Sequence, residues 1–96
     1  MKRLKDLKKN LMEDPEFREE YARADDEFKL IEALVRARRA AKLTQAELAR
    51  RLGTTQSAVA RLEGGGVSPS LATLRRYAEA TGTRLTVGLE RAVPGR

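Results

Sequence analysis

Ninety-six residues, 41% apolar and 35% charged, make one domain with a modest core, and the absence of cysteine and histidine removes disulfides, thiol nucleophiles, ordinary zinc sites and most general-base chemistry. No window approaches the roughly eighteen apolar residues of a membrane span, and no apolar stretch follows Met1 to Asp6, so a cytoplasmic, non-enzymatic chain without metal or cofactor is expected. The formal charge of +6 is unevenly spread: residues 1–12 carry five basic against one acidic residue, 13–27 eight acidic against two basic, and 28–96 thirteen basic against five acidic. That leaves −6 on the middle piece and +8 on the last, and the two call for different partners, a basic one and a polyanion.

In chain order, Asp14-Pro15 is a helix start, a capping side chain followed by proline, with Phe17, Tyr21 and Ala24 at helical spacing behind it. A short acidic helix over 15–24 is predicted. Asp25-Asp26 offers a second cap, after which Phe28, Ile31, Leu34 and Val35 form an apolar stripe and predict a helix over 27–41. Thr44 and Glu47 form a capping box for a helix ending at Leu52, and Gly53 suits the left-handed turn that follows. Thr55 caps a helix over 56–63, and Gly64-Gly65-Gly66 stops it. No strand precedes this triple glycine and no Gly-Lys-Ser/Thr follows, so it reads as a flexible loop between helices, with no sign of a phosphate cradle. Ser68-Pro69 opens a fourth helix with Leu71, Leu74, Tyr77 and Ala78 on its apolar face. After Gly82 the period changes to two: Leu85, Val87 and Leu89 alternate with polar or small residues, which predicts one half-buried strand. A lone strand needs a partner for its ladder, and pairing with its own copy across a two-fold axis would make a homodimer through Leu85, Val87 and Leu89.

Two short helices that cross closely need a small contact residue and a permissive turn, and Ala49 and Gly53 meet both needs. Val59 and Leu62 then face inward, leaving Gln56, Ser57, Ala60 and Arg61 outward. Glutamine and arginine at the start of an outward helix have the donors and acceptors that read base edges. The stretches Leu43 to Ala49, Gly53 to Ser57, Arg61 to Gly64 and Pro69 to Leu74 together resemble the Xre/Cro-type helix-turn-helix family of phage and bacterial repressors, over roughly 30–82. Asp14 to Arg18 and the stretch from Thr81 to Leu89 extend the resemblance to HigA-type antitoxins.

This resemblance implies an all-α fold, a bundle of four to five helices with an acidic N-terminal helix and one C-terminal strand pairing across a dimer. It implies further that Thr55, Gln56, Ser57 and Arg61 face the major groove of an operator duplex, with Gln45 and the start of its helix on a phosphate. Thr44, Lys42 and Arg50 are added as phosphate contacts, while Arg36, Arg39, Arg51, Arg75 and Arg76 are weaker candidates. Arg38 and Glu63 resemble the family's internal ion pair. A solvated surface role for Arg61 and a plain first-turn role for Gln45 stay open, and Ala60 stands where a more polar residue is common.

The resulting division is an arm over 1–27, a helix-turn-helix domain over 28–82, and a strand and tail over 83–96. Three functions compete: an antitoxin that represses its own operon, a free-standing phage-type repressor, and an interaction module that has lost DNA binding. The acidic arm favours the first, since the toxins of the matching type are small basic ribonucleases. Leu7, Leu11, Phe17 and Tyr21 are its apolar anchors, and Glu13, Glu16, Glu19 and Glu20 its steering charges. Packing of that arm onto the next helix is the alternative. Nucleoid association follows from the DNA partner.

Overall fold

The computed structural model describes residues 13–92, and four helices carry the fold: α1 Pro15–Ala40, α2 Gln45–Leu52, α3 Gln56–Glu63 and α4 Leu71–Ala80. Asp14 caps α1, its carboxylate accepting from the Glu16 amide at 2.9 Å, and Pro15 fills the first turn, where its missing N–H is no loss. The helix does not stop at Asp25. Instead of an acidic helix over 15–24 and a second beginning at Asp25-Asp26, one helix of 26 residues runs through. No glycine or proline interrupts it after Pro15. Asp25 pairs one turn on with Lys29 at 3.1 Å, and Glu32 does the same with Arg36 at 2.7 Å.

The apolar stripe of α1 is also turned from its expected line. Leu34 is buried, and Leu30, Ala37 and Ala41 pack half-buried against the same core. Phe28 lies about 120° round the helix from Leu34, at ~100° per residue, and is 60% exposed.

Both halves of the capping box at the start of α2 form at 3.0 Å, Thr44 accepting from the Glu47 amide and Glu47 from the Thr44 amide. Gly53 closes that helix at φ 68°, a left-handed conformation that disfavours side chains. Thr55 then caps α3 by accepting from the Ala58 amide at 3.1 Å. After α3 the amides of Gly64 and Gly66 both donate to the Arg61 carbonyl at 3.2 Å. Gly65 sits at φ 79°, and a Cβ there would stand 2.9 Å from Ile31 Cδ1. The triple glycine is therefore a folded closure packed on α1, where composition alone suggests a flexible loop.

α4 starts at Leu71, later than Ser68-Pro69 implies, because Ser70 supplies the cap and accepts from the Thr73 amide at 3.1 Å. The four helices meet in one core of Leu34, Leu43, Leu48, Ala49, Val59, Leu62, Leu74 and Tyr77. Two arginines tie α2 to α4 reciprocally: Arg51 donates to the Ala80 carbonyl at 2.9 Å, and Arg76 donates to the Leu52 carbonyl. Each places a cation at the other helix's C-terminal carbonyls, which lack intrahelical donors.

The class is all-α, as expected, but the C-terminal strand is not formed. Among the described residues none lies in a strand, and residues 83–92 follow no regular secondary structure. A single strand finds no ladder partner within its own chain. Leu85 packs half-buried on the core, whereas Val87 and Leu89 are exposed. Dimer pairing through that strand thus loses the element it was to rest on. No helix among the described residues is long and apolar enough to cross a membrane, and no group of metal-ligating side chains occurs among them.

Candidate nucleic-acid interface

The outer face of α3 follows from the spacing of its apolar residues. Val59 and Leu62, three apart, are buried against the core, so Gln56, Ser57, Ala60 and Arg61 are left exposed, together with the capping residue Thr55. This face combines amide, hydroxyl and guanidinium groups on a rigid support. Such groups match the donor and acceptor patterns of base edges in a major groove.

The far end of α3 is anchored by a buried carboxylate. The Glu63 side chain is 4% exposed and that of Arg38 is 12% exposed. Arg38 Nε donates to Glu63 Oε2 at 2.9 Å and to Oε1 at 3.1 Å, while its Nη1 donates to the Leu43 carbonyl at 2.9 Å. Gln45 Nε2 donates to Glu63 Oε1 at 3.2 Å. The Tyr77 hydroxyl stands 2.8 Å from Glu63 Oε2 and 2.8 Å from the Leu34 carbonyl, and its single proton serves one acceptor at a time. One carboxylate therefore joins α1, α2, α3 and α4.

Burial pushes the Glu63 carboxyl up, but hydrogen bonds from Arg38, Tyr77 and Gln45 outweigh it and hold the group below its ordinary value. The hydrogen bond to Glu63 raises Arg38 above the usual arginine value, against desolvation. Burial, and then the neighbouring carboxylate, raise the Tyr77 phenol. At neutral pH the site is thus an ionised carboxylate facing a protonated phenol.

The candidate phosphate contacts differ in their surroundings. Lys42 and Arg50 are exposed, and Lys42 takes a left-handed φ of 58° just after α1. The Thr44 oxygen is engaged in its cap. Gln45 is half-buried and turned towards Glu63, so it is not the purely surface residue that its first-turn position suggests. Among the weaker candidates, Arg36 pairs with Glu32 and Arg51 and Arg76 bond helix carbonyls, while Arg39 and Arg75 are exposed. On the arm, Glu13, Glu16, Glu19, Glu20 and Tyr21 are exposed. Leu7, Leu11 and the side chain of Phe17 lie outside the described residues.

Sequence reasoning placed Tyr77 among apolar core residues and missed its hydroxyl. The signal was available in principle, since a tyrosine at a fully buried helical position needs a partner for its O–H.

Two short helices joined by a left-handed glycine, with a polar outer face on the second, define an Xre-type helix-turn-helix DNA-binding domain. The chain matches the helix-turn-helix family model over residues 34–87 and belongs to that family. It is 38% identical over 77 residues to Antitoxin HigA1 of Mycobacterium tuberculosis strain CDC 1551 / Oshkosh, with the same identity to Antitoxin HigA1 of strain ATCC 25618 / H37Rv. The aligned part is 80% of this chain and 52% of each relative, so the chain spans about half the length of the curated relatives it matches. No solved structure matches it. The likeness to HigA-type antitoxins read from Asp14 to Arg18 and from Thr81 to Leu89 accords with these relatives.

Proposed function

We propose that this protein is a sequence-specific antitoxin that represses its own operon through α3 and neutralises a small basic ribonuclease through its acidic arm. The observation that carries the DNA half is the exposed set Gln56, Ser57 and Arg61 on a helix held from behind by buried Val59, Leu62 and Glu63. In this reading Thr55, Gln56, Ser57 and Arg61 read bases, and Lys42, Thr44, Gln45 and Arg50 meet phosphates. The Gln45 amide keeps a second N–H for a phosphate oxygen while the first stays on Glu63. The charge of +8 over residues 28–96 supplies the sequence-independent attraction to the duplex.

One domain of this size covers few base pairs, so the operator is bound by a homodimer on two half-sites about one helical turn apart. The arm over 1–27 is the toxin-binding segment, the acidic surface a basic partner requires. The relatives' name, Antitoxin HigA1, supports this half. The test is selection from a random duplex pool by the intact protein. Enrichment of a repeated half-site is expected; retention of all sequences alike, governed only by salt, would overturn the DNA half.

A further inference from the structure

Tyr77 has no part in the surface described so far, lying on α4 behind the helix-turn-helix pair at 1% exposure. Its ring fills the core. Phenylalanine would fill it equally, so the hydroxyl needs its own account. That hydroxyl reaches two acceptors on two other helices, Glu63 Oε2 at the end of α3 and the Leu34 carbonyl in α1. The other oxygen of the same carboxylate accepts from Gln45, the first residue of α2.

From this geometry we infer that Tyr77 is a positioning residue for DNA reading. Its hydroxyl fixes the Glu63 carboxylate, and that carboxylate fixes the Gln45 amide and the end of the base-reading helix relative to each other. The inference rests on the DNA reading proposed above. Three features support it. A buried carboxylate needs donors on its oxygens to stay ionised, and Arg38 meets both Glu63 oxygens through a single N–H, at Nε, while its Nη1 is engaged by Leu43. Gln45 bonds Oε1 rather than Oε2, so the orientation of the carboxylate decides where the amide stands. The hydroxyl lies at the opposite oxygen, where it and Arg38 Nε together set that orientation. Removing it leaves Oε2 with the shared Arg38 Nε as its one remaining donor, and a phosphate contact and a base-reading helix that depend on the carboxylate lose their common register.

The test uses Tyr77→Phe in the full chain, with duplexes selected by the wild-type protein and a scrambled duplex of equal length. Affinity for the selected duplex is expected to fall on the order of tenfold, the scale such buried networks transmit, while affinity for the scrambled duplex stays the same. The side-chain amide resonance of Gln45 moves in the variant, and Tyr77→Phe and Gln45→Ala combine less than additively. A purely structural tyrosine lowers the melting temperature but leaves the selected-to-scrambled ratio and the Gln45 resonance unchanged, and that result overturns the inference. If Tyr77→Phe does not fold, Glu63→Gln, which keeps the shape but replaces one acceptor oxygen with an NH2 that cannot accept from Arg38, Gln45 or Tyr77, must show the same fall in ratio. Failure of the wild-type protein to select any sequence sinks the underlying DNA reading, whereas selection with an unmoved Gln45 resonance sinks the positioning role alone.

Discussion

Glu63 stays charged below the surface only because Arg38, Tyr77 and Gln45 donate to it. Arg38→Ala strands that carboxylate and is expected to cost about 3 kcal/mol, as removal of one partner from a buried pair does; an unchanged midpoint in a urea melt would show the pair to be a surface feature. The depressed Glu63 carboxyl also fixes a pH dependence. An unfolded glutamate titrates near ~4.3, and the folded group titrates lower, so the stabilisation is complete above the unfolded value and is lost as pH falls through the folded one. Melting at a series of acid pH values should therefore show wild type losing stability faster than Glu63→Gln; parallel curves would contradict this. The acid and the arginine were legible in the sequence through the family resemblance. The tyrosine was not, because its acceptors lie 14 and 43 residues away and nothing local marks which buried phenol finds a partner.

At the scale of elements, local chemistry settled what neighbours could settle. The Thr44 and Glu47 box, the turn at Gly53 and the cap at Thr55 depend on residues within four of one another, and all three stand in the structure where the sequence places them. Asp25-Asp26 misled because a capping residue also serves inside a helix when a lysine lies four residues on. The pattern from Leu85 to Leu89 misled because alternation describes a strand only where a ladder partner exists. The two closing glycines separate conformational strain from packing. Gly53→Ala meets nothing within 4 Å and carries only the left-handed penalty, about 1 kcal/mol, while Gly65→Ala carries that penalty and a clash with Ile31. Gly65→Ala is therefore expected to be the more destabilising by roughly 1 kcal/mol or more, and the reverse order in denaturant midpoints would contradict the packing of the loop on α1.

The described residues form a basic four-helix domain from which the first half of α1 projects, acidic and mostly exposed over residues 15–29. A helix of that length is marginal without packing, and its charge weakens attraction to DNA if it has no partner of its own. Deleting residues 1–24 should leave the melting temperature and operator binding nearly unchanged but abolish neutralisation of a small basic ribonuclease in co-expression; neutralisation by the shortened protein would remove the arm from the mechanism. Everything else depends on whether α3 reads bases. Gln56→Ala, titrated by fluorescence against the selected operator and against an unrelated duplex, tests this most directly: the operator complex should weaken by about 1–3 kcal/mol with the unrelated complex unaltered, and an equal loss on both duplexes, or none on either, would contradict the account.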